Sequence, residues 1–160
     1  GGHTLVLSQQ GEVFSWGCGF DGRLGTGAKE NINYPVLIAA LEGRNVVSIA
    51  AGAAHSVAMT QDGDILTWGA GAQGRLGHGA SSNEILPREV KLSAHATVRA
   101  VSVAAGDCHT CVLRSDGSIV TWGRVTHGRT AEGVACEAMQ PLLMQALQMQ
   151  TEHDWHHFPD

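Results

Sequence analysis

A block of residues returns along this chain at one fixed interval, and that periodicity limits the fold more than any single motif does. The first copy reads Gly2-His3-Thr4, Gly11, Trp16-Gly17 and then Gly22-Arg23-Leu24-Gly25-Thr26-Gly27. The second reads Ala54-His55-Ser56, Gly63, Trp68-Gly69 and then Gly74-Arg75-Leu76-Gly77-His78-Gly79. His3 to His55, Gly11 to Gly63, Trp16 to Trp68 and Arg23 to Arg75 are all 52 residues apart, so the block repeats without a gap. A third copy, with His109-Thr110, Gly117, Trp122-Gly123 and Gly128-Arg129, follows at an offset of 54. Pro35, Pro87 and Pro141 keep step, which places the two extra residues between Pro87 and Ala105. A period of this length marks a solenoid, a propeller or another array.

Each copy opens with a short apolar run rich in β-branched residues (4–7, 57–59, 111–113), turns at Gln10-Gly11, Asp62-Gly63 or Asp116-Gly117, and returns through 12–16, 64–68 or 118–122. Asp-Gly favours a type I′ hairpin, because that turn needs positive φ. A third strand is expected after each proline, at 36–38 and 90–92, and a fourth at 46–51 and 98–105. Four short strands in about fifty residues with no helix between them match the blade of a β-propeller. The fourth runs end in Ala50-Ala51-Gly52 and Ala104-Ala105-Gly106, small enough for a strand near a central axis. After Pro141 the register predicts a strand at 142–144, although Leu142, Leu143, Ala146 and Leu147 have helical spacing.

The combined pattern, Ala-Ala-Gly-x-x-His-(Ser/Thr), Asp-Gly, Trp-Gly and Gly-x-x-Gly-Arg-Leu-Gly-x-Gly, resembles the repeat of the regulator of chromosome condensation family. WD repeats would need a Trp-Asp pair, which does not occur, and kelch repeats lack this His and Trp-Gly register. The resemblance implies an all-β fold: a partial β-propeller of about three four-stranded antiparallel blades from a seven-bladed ring. It divides the chain into repeats at 1–52, 53–106 and 107–144 and a poorly ordered tail at 145–160. His3, His55, His109, Trp16, Trp68, Trp122, Gly17, Gly69 and Gly123 form its structural signature. The third copy departs from it, with Val125 in place of Gly19 and Gly71, and Thr130-Ala131 in place of Leu-Gly. Three repeats fall short of a ring, so the chain reads as a piece of a larger propeller. Its open blade edges are expected to leave it marginally stable or self-associating.

Composition narrows the partners. A formal charge of −5 lacks the basic footprint that direct nucleic-acid binding requires. No apolar stretch is long enough to span a bilayer, and no basic-then-apolar leader opens the sequence. Four cysteines without a framework, and no Asn-x-Ser/Thr site, point to a reducing compartment, cytoplasmic or nuclear.

Several motifs invite chemistry that the repeat explains better. Gly17-Cys18-Gly19-Phe20-Asp21-Gly22 and Gly69-Ala70-Gly71-Ala72-Gln73-Gly74 both fit GxGxxG, but a dinucleotide site needs a helix behind the glycines, and here a proline follows. Cys108-His109-Thr110-Cys111 is a CxxC with no second pair, which favours packing over zinc. Adjacent strand residues face opposite ways, so His-Thr and His-Ser neighbours cannot act as base and nucleophile. A recurring imidazole bonded to backbone is the expected role. His153, His156 and His157 with Asp154 could ligate a metal on a helix, but a polar terminus is the simpler reading. No metal, cofactor or catalytic residue is assigned.

Arg23, Arg75 and Arg129 share one repeat phase, so they either present a basic arc to a protein partner or tie loop carbonyls together. Asp107, before the third His, matches the acidic loop position through which exchange factors of the family engage a small GTPase of the Ran class. Its counterparts Gly1 and Ala53 do not match, and no long wedge insertion is present. The plant ultraviolet receptors of the family carry Trp in these loops, where Gly1, Ala53 and Asp107 stand here. The expected function is a non-enzymatic module that presents rim loops 18–26, 70–78 and 124–132 to a protein partner. The alternative is guanine-nucleotide exchange on a Ran-class GTPase.

Overall fold

The smallest unit of the fold is a hairpin, and its turn differs from the expected type. In the computed structural model, which describes residues 2–92, 98–125 and 136–144, β1 (His3–Leu7) pairs with β2 (Val13–Gly17). The turn closes with Ser8 N–H on Glu12 O at 2.8 Å and Gly11 N–H on Ser8 O at 3.1 Å. The Thr60–Asp64 and Arg114–Ser118 turns repeat both bonds. Only the glycine takes positive φ in each, 82° at Gly11, 88° at Gly63 and 82° at Gly117. These are three-residue loops, a type I turn followed by a bulged glycine, not type I′ turns. The Asp-Gly cue located the turn correctly, but one more residue enters the loop, so Asp62 and Asp116 are spared the left-handed conformation.

Eleven strands form three antiparallel sheets among the described residues, of three, four and four strands, each with its strands side by side in chain order. β3 (Ile32–Leu37) and β7 (Glu84–Glu89) run through Pro35 and Pro87, so both begin before the prolines and not after them as expected; β3 still includes Val36 and Leu37, whereas β7 ends before 90–92. Both are edge strands, where a missing N–H costs no ladder bond. Of the residues expected after the prolines, Val36 and Leu37 lie in β3 opposite Ser15 and Phe14. Ile38 and Val90 follow directly on β3 and β7, donate to Val13 O and Ile65 O at 2.8 Å each, and are buried.

β4 (Val46–Ala51) and β8 (Ala100–Ala105) hydrogen-bond forward, to β5 (His55–Thr60) and β9 (His109–Arg114). Each sheet is therefore offset by one strand from the sequence units 1–52, 53–106 and 107–144, and the first sheet holds three strands, not four. β4 packs beside both β1 and β8. β10 (Ile119–Val125) pairs with β11 (Cys136–Met144), and Leu142, Leu143 and Met144 lie opposite Thr121, Val120 and Ile119. The strand register after Pro141 thus holds over the helical spacing. The tail at 145–160, with its histidines, lies outside the described residues.

Two apolar cores fill the junctions between sheets. Val13, Ile38, Leu41, Val46, Ala58, Leu66 and Trp68 fill the first; Val57, Met59, Ile65, Val90, Ala100, Val112, Val120 and Trp122 fill the second. Successive side chains of a strand face opposite ways, so Val57 and Met59 go to one junction and Ala58 to the other. This explains why all of β5 and β6 (Ile65–Gly69) is buried. The result is a partial β-propeller.

Candidate functional site

The signature residues meet at the junctions, in a hydrogen-bonded clasp built twice. His3 Nε2 lies 2.8 Å from Ser56 Oγ on the next sheet, and His55 Nε2 lies 2.9 Å from Thr110 Oγ1. Ser56 Oγ donates to Arg23 O at 2.8 Å and Thr110 Oγ1 to Arg75 O at 2.9 Å. The same two carbonyls accept the indole N–H of Trp68 at 3.0 Å and of Trp122 at 2.9 Å. A hydroxyl has one proton, and here it goes to the carbonyl. The imidazole must then donate, which fixes both histidines as the Nε2–H tautomer.

That proton count also settles the chemistry. His3 and Ser56 have the spacing of a base and a nucleophile, but the serine proton points away from the ring. Burial, reinforced by Arg23, pushes the pKa of His3 down to about 4, and burial with Arg75 pushes His55 down to about 3. Both rings stay neutral at pH 7 and are poor bases. Their Nδ1 atoms are buried without a hydrogen-bond partner.

The glycines make room for this clasp. A Cβ on Gly52 would lie 2.6 Å from His55 Nδ1, and one on Gly106 would lie 2.7 Å from His109 Nδ1. The Ala-Ala-Gly motif therefore ends in Gly because an imidazole lies against it. Gly25 and Gly77 seat the indoles of Trp68 and Trp122, with Nε1 only 2.7 and 2.8 Å from where a Cβ would stand. Gly69 backs onto the His55 backbone, where a Cβ would approach Cα to 2.8 Å.

Arg23 and Arg75 use their forks inside the same structure. Arg23 donates Nε to Phe20 O at 2.8 Å, Nη1 to Ala53 O at 3.2 Å and Nη2 to Asp21 Oδ2 at 3.3 Å. Arg75 repeats this with Ala72 O at 2.9 Å, Asp107 O at 3.0 Å and Gln73 Oε1 at 3.3 Å. Arg75 is only 7% exposed. Of the two roles open to these arginines, the geometry supports tying loop carbonyls together. Arg129 lies outside the described residues. Asp107 is exposed, and it is its backbone carbonyl that Arg75 engages.

Of the three tryptophans, Trp68 and Trp122 are fully buried, while Trp16, on the outward side of the first sheet, is only partly so. The sequence reading missed the cross-sheet partners Ser56 and Thr110, and it missed Asn31 and Asn83, whose Oδ1 atoms accept Gly19 and Gly71 N–H at 2.9 and 3.0 Å. Asn31 and Asn83 also stand 52 apart, so the same subtraction would have found them. Loops 18–26 and 70–78 are mostly spent on the clasp. The exposed apolar side chains among the described residues include Phe20 (63% exposed), Tyr34 (64%), Ile85 and Leu86 (48%). Among the described residues, no three His, Cys, Asp or Glu side chains are grouped to hold a metal, and no helix is long and apolar enough to cross a membrane.

The regulator of chromosome condensation (RCC1) repeat matches residues 10–59 and 62–113. The human E3 ubiquitin-protein ligase HERC2 is 43% identical over 77% of this chain, which corresponds to 2% of its own length. The ultraviolet-B receptor UVR8 of Arabidopsis thaliana is 40% identical over 76% of this chain and 28% of its own. Among solved structures, human WBSCR16 superposes with a TM-score of 0.75 at 28% identity, over 88% of this chain and 35% of that one. Yeast RCC1 (Prp20) bound to Kap60 gives 0.71 at 26% identity over the same shares. The chain thus spans a minor part of each relative. The matched repeat and the twice-built clasp lead to one conclusion: this chain belongs to the regulator of chromosome condensation repeat family.

Proposed function

We propose that the chain is a protein-binding propeller module, in which the clasps make a rigid scaffold and the rim meets a protein partner. The observation that carries this reading is how the polar side chains are used. Arg23, Arg75, Ser56, Thr110 and His55 are all turned inward to hold sheets together, which leaves Phe20, Tyr34 and Leu86 exposed at the rim. Exposed apolar side chains on a stiff support are the usual material of a recognition surface. The yeast relative is seen bound to another protein, which agrees with a protein partner. A ligase activity such as HERC2 carries in its name is not proposed for these residues, which cover 2% of that protein. A reducing compartment, cytoplasmic or nuclear, suits the free Cys18, Cys108 and Cys111. The test places a photo-crosslinker at position 34 or 86. Both positions should capture the same protein, and Phe20→Glu should abolish capture without moving the melting temperature. Capture from position 34 that survives Phe20→Glu and Leu86→Glu together would refute the reading.

A second reading, exchange on a Ran-class GTPase, rests on the exposure of Asp107. Release of labelled GDP from such a GTPase, followed by stopped flow, should accelerate with the chain and lose that acceleration with Asp107→Ala. An unchanged rate at micromolar protein removes this reading.

A further inference from the structure

The two junctions between sheets carry the same clasp at one end but differ at the other. There the first junction is neutral, with Ala39 directly after the buried Ile38, and Asn45 and Thr60 beside it. In the second junction the same repeat positions hold Lys91, Arg99 and Arg114, 52 residues on from Ala39 and 54 on from the other two. The backbone around them is unchanged. Val46 lies opposite Thr60 and Ala100 opposite Arg114. Gln61 N–H bonds Asn45 O at 2.9 Å, as Ser115 N–H bonds Arg99 O at 2.8 Å. Three basic side chains therefore enter one place in a chain whose formal charge is −5.

Arg114 is the deepest of the three. On β9 it continues the series Thr110, Val112, which faces the second sheet: Thr110 bonds Arg75 O, and Val112 packs with Val57 and Met59. Arg114 is only 8% exposed, yet its guanidinium has no hydrogen-bond or ion-pair partner among the described residues. Arg99 and Lys91 are exposed. The structural duty of this position has passed to another residue. Ser8 Oγ and Thr60 Oγ1 cap their turns, accepting Glu12 N–H and Asp64 N–H at 3.1 Å each. In the third turn Asp116 Oδ1 accepts the Ser118 N–H at 2.9 Å and the Ser118 hydroxyl as well, and makes no ion pair with Arg114. A buried charge without a partner is costly, and a guanidinium keeps its donors in a planar fork that suits an oxyanion.

We propose that this end of the second junction is an anion site that takes a phosphate group. Arg114 offers its fork to the phosphate oxygens, and Arg99 and Lys91 add charge at the surface. Three positive side chains match the double charge of a phosphate better than the single charge of a carboxylate. The site goes beyond the rim surface that Phe20 marks and shares no residue with it, so either reading can fail without the other.

The test uses the whole chain and inorganic phosphate, at an ionic strength held constant with chloride. Phosphate should shift the Arg114 Nε–H resonance saturably and raise the melting temperature, and chloride should do neither. Arg114→Thr gives the third copy the residue of the second. It should weaken phosphate binding by about tenfold or more. In chloride alone it should melt no lower than the unsubstituted chain, because a charge without a partner goes with the side chain. Lys91→Gln combined with Arg99→Gln should weaken phosphate binding and leave melting in chloride unchanged. Phosphoserine amide in place of inorganic phosphate identifies the source: binding as tight as that of the free ion assigns the site to a phosphorylated side chain, and weaker binding assigns it to the free ion. An Arg114 N–H that ignores phosphate, or a phosphate response that survives Arg114→Thr, would overturn the proposal. So would a lower melting temperature for Arg114→Thr in chloride, which would mean that the chain already supplies the partner.

Discussion

His55 on the second sheet donates from Nε2 to Thr110 Oγ1 on the third across 2.9 Å, joining residues 55 apart in sequence. Thr110 passes its own proton to Arg75 O, which also accepts from Trp122. Four residues of two repeats thus share one buried relay, and each can be tested separately.

Thr110→Val keeps the shape of the side chain but removes both an acceptor and a donor. The imidazole N–H loses its partner and Arg75 O keeps only the indole. Loss of two buried bonds with one donor stranded should cost about 2–3 kcal/mol. Thr110→Ser retains the hydroxyl and should cost less than half of that. Urea unfolding of the three proteins measures both, and equal stability of the valine and serine variants would count against the relay.

Acid should loosen the junctions in a defined window. The pKa of His55 is about 3 when folded, against about 6.5 when unfolded, so between those values the unfolded chain holds a proton that the folded chain does not. Its stabilising effect is therefore complete above pH 6.5 and is lost as pH falls towards 3. Stability should fall by up to about 1.4 kcal/mol per pH unit from this group alone. His3, lowered to about 4, adds in the same direction over a narrower span. Unfolding free energy measured from pH 7 to 4 checks the slope, and His55→Gln should flatten it.

Gly77→Ala tests the seat of the indole. Gly77 has φ 77°, and its Cβ would stand 2.8 Å from Trp122 Nε1. Gly43 has a similar φ of 72° but open space around it. Gly43→Ala should cost only the backbone strain, about 1–2 kcal/mol. Gly77→Ala should cost clearly more and shift the tryptophan emission to the red, because Trp122 must move. Similar losses at both sites would mean that the indole yields easily.

Arg75→Lys keeps the charge and discards the fork. A lysine ammonium cannot reach Ala72 O, Gln73 Oε1 and Asp107 O in the same geometry, so melting temperature should fall even though net charge is unchanged. Thermal unfolding reads it directly.

The period of 52 carried most of the fold, because strands, turns and clasp residues all obey it. What it concealed was connectivity between copies. Subtracting positions shows that His3 and His55 are equivalent, but not that each imidazole bonds to the hydroxyl beside the next histidine, since that contact crosses a sheet boundary. The third strands were expected to start too late for a similar reason. Proline reads locally as a strand breaker, and only the sheet order reveals that Pro35 and Pro87 sit on an edge that asks for no donor. The arginines were placed on one face by phase, but which groups they touch depends on loop carbonyls that no pattern in the sequence marks.

Because every clasp joins one repeat only to the repeat before it, each seam answers only to its immediate neighbours. Injury at the Arg75 seam should leave the Arg23 seam intact, and rim residues such as Phe20 can change without disturbing either. An architecture wired in this way can alter what it grips, one repeat at a time, while the shape that does the gripping persists.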